Sequence, residues 1–288
     1  MENKKITVFG ATGKIGSLLL QHLSYAKVAT VAVTRNLENV VSLPFIEWKK
    51  ADISDIESLY ATMEASEAVF LLSGLSANFV EEQKNVIKAA KQCGVKHIVK
   101  LSSGAADKNS SFYIPQTHGI IENFLIESGM HYTMLRPNGI MQNWLGDIAE
   151  SVKKERRFQE STGSGKRAYV DARDIAEVAF KCLTSAELHY DKIYLLTCDK
   201  AVNYYDVANA ISSAIDEKVT YIPISLEQAR QEMGKAGMPQ TLIDTFISYD
   251  TAQRNGETEI ISDNVKTILG KPARTLEEFV KDYVGKFK

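Results

Sequence analysis

Ile6-Thr7-Val8-Phe9-Gly10-Ala11-Thr12-Gly13-Lys14-Ile15-Gly16-Ser17-Leu18-Leu19-Leu20 reads as a strand, a glycine turn and a helix in immediate succession. A short β-prone run meets three glycines spaced G-x-x-G-x-x-G, and apolar residues at helical spacing follow. Each glycine has its own reason. Gly10 permits a tight turn, Gly13 lets backbone approach a pyrophosphate, and Gly16 lets the helix sit close on the strand. A pyrophosphate there faces the unpaired N–H groups and the positive dipole end of the helix. The stretch predicts a dinucleotide site whose turn is Gly10, Thr12, Gly13, Lys14, Ile15 and Gly16.

Working outward, the second strand (28–34) ends in Val33-Thr34-Arg35-Asn36. Sites that prefer NAD usually carry a carboxylate about 20 residues beyond the turn, bonded to the ribose hydroxyls. Arg35 puts a guanidinium there instead. Its planar fork suits a 2′-phosphate, so the expected cofactor is NADP(H), with Lys14 as a second positive charge. Asp52, after the third strand, either meets the adenine edge or caps the helix that follows. Leu72-Ser73-Gly74 ends the fourth strand and is expected to pass under the adenosine ribose and pyrophosphate.

Short β-rich runs alternate with helical stretches over the first two thirds of the chain. Strands are expected at 6–9, 28–34, 45–48, 68–72, 97–101 and 132–135, and helices at 15–23, 56–63, 80–91 and 120–126. That alternation predicts an α/β fold, a Rossmann-type doubly wound parallel sheet. Ser54-Asp55-Ile56-Glu57 has capping-box spacing, as do Ser225–Gln228 and Thr275–Glu278. Residues 151–167 are polar and include Gly163-Ser164-Gly165, which predicts an irregular connection or lid. A strand–helix unit is expected over 168–183 and a strand over 192–196. From Asn203 onward helices dominate. The expected organisation is a dinucleotide domain over 1–150, completed by 168–200, and a smaller, mostly helical substrate lobe over 151–288.

The 288 residues are 44% hydrophobic and 24% charged, ordinary for a globular protein, and the net charge of -2 offers no reason to expect nucleic acid or membrane as a partner. No apolar run is long enough to span a bilayer, and Met1–Lys5 lead into the first strand without a signal core, so a cytoplasmic protein is expected. Cys93, Cys182 and Cys198 are odd in number and widely separated, which predicts buried apolar residues rather than a disulfide framework or a metal site. A homodimer is one open assembly state.

The residues together resemble the NmrA-like, atypical short-chain dehydrogenase/reductase family over essentially the whole chain. The glycine turn, Leu101-Ser102-Ser103, the run Ser128-Gly129-Met130-His131-Tyr132-Thr133-Met134-Leu135-Arg136-Pro137 with Asn143 beyond it, and Val170–Ala176 carry the likeness. The segment Ile268–Leu276 particularly resembles the bacterial NAD(P)H:quinone oxidoreductase branch, with triphenylmethane-dye and azo-dye reductases as near relatives. The resemblance implies a Rossmann sheet with a C-terminal substrate lobe. It adds Ser102 to the cofactor site, and Pro137, Asn138 and Ile140 against the nicotinamide. Tyr113, Asn143 and Trp144 are then expected on the substrate side, where Trp144 either stacks on a planar acceptor or is a core tryptophan.

The wider superfamily uses a Tyr-x-x-x-Lys pair as its acid. Aligned on Glu122, this chain has Ile114 at the tyrosine position and His118 at the lysine position, with Tyr113 one place off. Reducing a ketone leaves an alkoxide and demands a positioned acid, whereas reducing a quinone or cationic dye leaves a delocalised anion or a neutral product. Proximity then suffices. The expected function is NADPH-dependent hydride transfer to a quinone or similar planar electrophile, with no flavin or metal. His118 is expected at the nicotinamide ribose and as a proton donor; the alternative is a surface histidine capping Glu122. An epimerase or dehydratase normally needs the missing tyrosine. The other reading is a non-catalytic NADP(H) sensor acting through a protein partner.

Overall fold

A computed structural model describes residues 5–38 and 40–288. Met1–Lys4, where the absence of a leader was read, lie outside the described residues. The chain divides into two compact units. The first runs to Asn109 and adds Pro115–Arg136 and Arg173–Leu195; the second comprises Ser110–Ile114, Pro137–Ala172 and Leu196–Lys288.

The first unit alternates β1 (Lys5–Val8), α1 (Lys14–Tyr25), β2 (Thr30–Thr34), β3 (Ile46–Lys50), α2 (Ile56–Met63), β4 (Ser66–Leu71), α3 (Phe79–Gln92), β5 (His97–Leu101), α4 (Tyr113–Glu127) and β6 (His131–Pro137). Next come α5 (Asp147–Glu155) and β7 (Arg157–Glu160) in the second unit, then α6 (Ala172–Thr184) and β8 (Lys192–Leu196) of the sheet. The second unit resumes with α7 (Tyr204–Ile215), β9 (Thr220–Pro223), α8 (Leu226–Lys235), α9 (Gln240–Arg254), α10 (Asn264–Leu269) and α11 (Leu276–Asp282).

The main sheet has the order β3-β2-β1-β4-β5-β6-β8, and β1 to β6 pair in parallel. Strands covered on both faces need apolar residues at almost every position; the run Ala68–Leu71 of β4 meets that requirement, and β5, buried throughout, departs from it at His97 and Lys100. Their register leaves Val33, Val69, Leu71, Ile98 and Met134 in one core with Leu59 and Met63 of α2, Val86 of α3 and Leu125 of α4. The order reverses between β1 and β4, and ligands of such sheets bind at the carboxyl ends beside that switch.

The sequence reading needs correction in four places. Only 161–167 are irregular; the earlier part of 151–167 is the end of α5 and strand β7, which pairs in parallel with β9. No strand forms over 168–171; Val170 makes only an isolated bridge to Ile140. Helix α4 starts at Tyr113 rather than near 120, because Pro115 falls in its first turn, where the missing N–H costs nothing. Finally, the cap of α2 is Asp55, whose carboxylate accepts from Glu57 N–H, so the Ser54 capping box does not form. The Ser225 and Thr275 boxes do form, and Asn203–Asp206 adds another.

In the second unit, Trp144 meets Tyr169 and Phe279 edge-on, and Ala229, Ile243 and Ile247 make a smaller apolar cluster between α8 and α9. The two glycines at 163 and 165 have different reasons: Gly163 has φ +60° in open space, whereas a Cβ on Gly165 would lie 2.1 Å from the Gln253 carbonyl oxygen.

Candidate active site: a dinucleotide edge and a buried proton pair

At the end of β1, Gly10 has φ +69°, and a Cβ there would strike the Leu72 carbonyl at 2.6 Å. A Cβ on Gly16 would lie 2.1 Å from the Gly10 carbonyl, so only glycine lets α1 start this close to the strand. Gly13 caps α1 without a side-chain hydrogen bond, and no acidic residue sits in the first turn. The helix therefore presents its positive end with no built-in anion to neutralise it. Thr12, Gly13 and Lys14 are exposed along this rim, while Ile15 and Gly16 are buried beneath it.

The neighbouring strand ends line up. Thr34 pairs with Lys50, and Ala51 donates to the Thr34 carbonyl, which places Arg35 and Asp52 just past adjacent strand ends. Both are exposed. Asp52 accepts from the Ser54 N–H and hydroxyl, and these bonds, with the Arg35 guanidinium adding to them, hold its carboxyl below the usual range. Asp52 is thus not the helix cap; its carboxylate closes a turn onto Ser54. Ser73, in the Leu72-Ser73-Gly74 segment, accepts from the Gln83 side-chain amide. Ser102, at the end of β5, is buried with its Oγ unpartnered, and Gln83 Oε1 is likewise unpartnered, among the described residues. Orphaned buried polar atoms at this edge, beside an uncapped glycine turn and two basic residues, fit a polyhydroxylated, anionic dinucleotide. Residues 10–16, Arg35, Asp52, 72–74 and Ser102 would hold it.

Beside them lies His118 of α4. Its alternative role as a cap for Glu122 is not what the structure shows. Glu122 instead accepts a bidentate pair from Arg136, Nε to Oε1 at 3.0 Å and Nη2 to Oε2. The His118 ring meets Phe79 edge-on, and its Nδ1 lies 3.2 Å from Lys100 Nζ. Burial, with Lys100 and Arg136 adding to it, pushes His118 well below its ordinary value. Gly119 explains how α4 approaches so closely: a Cβ there would lie 2.1 Å from the Lys108 nitrogen.

The remaining expected residues belong to the second unit. Pro137 is buried, and Asn138 spends its side-chain amide on the Thr258 carbonyl at 2.8 Å. Ile140 bridges to Val170. Asn143 is exposed and Tyr113 half-buried. Trp144 is only 2% exposed among Tyr169, Tyr204 and Phe279, which is the setting of a core tryptophan rather than of a stacking platform. Cys182 and Cys198 are buried and Cys93 half-buried, with burial raising the Cys93 and Cys182 thiols.

A model of the NmrA-like family matches residues 2–280. This chain belongs to the NmrA-like family. It is 33% identical to an NAD(P)H azoreductase of Xenophilus azovorans, over 98% of this chain and 99% of that one. A structure of an NADPH-dependent quinone oxidoreductase of Escherichia coli, complexed with NADPH, superposes with a TM-score of 0.86 at 28% identity, covering 96% and 99% of the two chains. The triphenylmethane reductase of a Citrobacter species, complexed with NADP(H), gives 0.83 at 26% identity over 97% and 99%.

Within this NmrA-like fold, sequence reasoning missed Lys100 and the Glu122–Arg136 pair. Lys100 had a signal, a lysine inside the otherwise buried run His97-Ile98-Val99-Lys100-Leu101. Arg136 had none, because its partner is 14 residues away on a different element.

Proposed function

We propose that this chain is an NADPH-dependent reductase that reduces a quinone or a similar planar electrophile directly. NAD(P)H-dependent oxidoreductase activity follows from its place beside the azoreductase and the quinone oxidoreductase; NADPH, when bound, would supply the hydride. The observation that carries the acceptor class is the residue at position 114. Isoleucine stands where the superfamily keeps its tyrosine acid, so an acceptor whose reduced form disperses its charge suits the site better than a simple ketone.

The protein's own part is binding and orientation. The α1 N-terminus and glycine turn hold the pyrophosphate, Arg35 grips the 2′-phosphate, and Asp52 meets the adenine edge. Leu72, Ser73 and Gly74 pass under the adenosine ribose. Ser102 and His118 serve the nicotinamide ribose, and Pro137, Asn138 and Ile140 the nicotinamide. Tyr113 and Asn143 contribute on the acceptor side.

The test is loss of nicotinamide absorbance when purified protein meets NADPH and a simple soluble quinone, with NADH in parallel. Quinone-dependent oxidation that prefers NADPH is expected. NADPH binding without oxidation by any planar acceptor would overturn the reductase reading in favour of a cofactor sensor with a protein partner.

A further inference from the structure

Lys100 has no task in the reading above, yet it is 0% exposed on a central strand. Its Nζ donates to the Leu101 carbonyl at 3.0 Å and lies 3.2 Å from His118 Nδ1. An ammonium has three donors and no acceptor, so in that contact Nδ1 must accept and the ring proton must sit on Nε2. Nε2 takes part in no hydrogen bond among the described residues. The charged groups acting on the pair are Glu122 of α4, which favours the ammonium, and Arg136 of β6, which disfavours charge on the imidazole. Helix α3 contributes the Phe79 ring, and the flanking strands β4 and β6 pair Leu71 and Met134 with Lys100.

We propose that Lys100 is a positioning residue that fixes His118 as an Nε2–H donor and replaces the proton this donor gives to a reduced acceptor. Neutral imidazole cannot do this alone, because losing its only N–H proton would leave an imidazolate. With Lys100 the step balances. The Nε2–H bond breaks as an O–H bond forms on the acceptor oxyanion, and an Nζ–H proton moves to Nδ1. The products are a neutral hydroxyl, a neutral imidazole protonated at Nδ1 and a neutral amine. The reverse passage from solvent, through Nε2 and Nδ1, restores the ammonium. Burial brings Lys100 down to about 7, where ammonium and amine interconvert readily near neutral pH, as a proton carrier requires.

The proton-delivery half rests on the reductase reading; the tautomer half does not. Two measurements separate them. In histidine-labelled protein saturated with NADP⁺, nitrogen NMR, with the His118→Gln spectrum assigning the signal, reads the His118 tautomer. The expected result is Nε2–H in the unsubstituted protein, a mixture in Lys100→Met, and restoration in Lys100→Arg. In turnover, quinone reduction is expected to fall as pH rises through about 7, because the donor form of Lys100 is lost. Lys100→Met and Lys100→Arg should both lose this inflection and run slower by on the order of tenfold, low for a proton step because the product charge is delocalised. An Nδ1–H tautomer in the unsubstituted protein at pH 6, where Lys100 is mostly ammonium, would overturn the proposal and needs no variant to fold. So would an inflection that persists in a folded, NADPH-binding Lys100→Met. Absence of turnover on any quinone would count against the reductase reading and the delivery half, while the tautomer result would still decide the positioning half.

Discussion

The two units use their polar groups differently. In the first, beside buried polar side chains such as Lys100 and Glu122, a rim of Thr12, Lys14, Arg35 and Asp52 stands exposed past the strand ends. In the second, buried polar groups are tied to one another. Gln142 spans Asp171 and the Ala172 N–H, Tyr169 reaches the hydroxyl of Tyr204 and the side-chain carbonyl of Gln253, and Ser161 donates to Asp250. A rim is organised for a ligand, and an internal network for a unique packing. Changes at the first should therefore appear in cofactor affinity, and changes at the second in stability.

The largest effect should come from Gly16→Val, which drives side-chain atoms against the Gly10 carbonyl and dismantles the turn. Calorimetric titration should detect no NADPH binding; near-normal affinity would show that the dinucleotide lies elsewhere. Next is Gln142→Leu. It leaves the fully buried Asp171 short of a donor and the Ala172 N–H without its acceptor, a loss of about 3 kcal/mol measurable by urea unfolding. A loss below about 1 kcal/mol would break the comparison on the second unit's side.

Arg35→Ala should weaken NADPH by roughly 10- to 150-fold, equivalent to about 1.5–3 kcal/mol, while leaving NADH nearly unchanged. Equal weakening of both would remove the 2′-phosphate assignment. The smallest effect concerns Glu160, whose carboxyl is pushed up to about 8 by burial, with Asp250 and Asp147 adding to it. Because the folded protein holds this proton more tightly than the unfolded chain, its stabilisation is complete below the unfolded value and is lost as pH rises toward 8. Glu160→Gln should remove that slope, so that between about pH 5 and pH 7 the variant gains about 1–2 kcal/mol on the parent protein. Parallel pH profiles for the two proteins would mean that Glu160 ionises freely.

The same contrast explains what could be read in advance. Sheet strands are written as short β-prone runs between helical stretches, so β5 and β8 were expected with their observed bounds, and the ends of β1 to β4 and β6 within two residues. The glycine turn was legible because close backbone approach has only one residue type that satisfies it. Helix α5 was not, since only Ile148, Ala149 and Val152 are buried among its charges. Strand β7 has a single fully buried side chain, Phe158, and its partner strand lies some sixty residues downstream. At the candidate site, the rim residues followed from the strand ends. The Lys100 contact with His118 depends on two elements meeting, and no local pattern encodes it.

The pairing of β7 with β9 also orders events in time. Arg157 registers with Thr220, and the intervening chain leaves the second unit to supply Arg173–Leu195 to the first. A chain emerging from the ribosome completes every segment of the Rossmann unit at Leu195, whereas β7 must wait for β9 before its ladder can close. Vectorial synthesis thus favours a nucleotide-binding unit that matures first, and a truncation before Thr220 should strand β7 as an open edge.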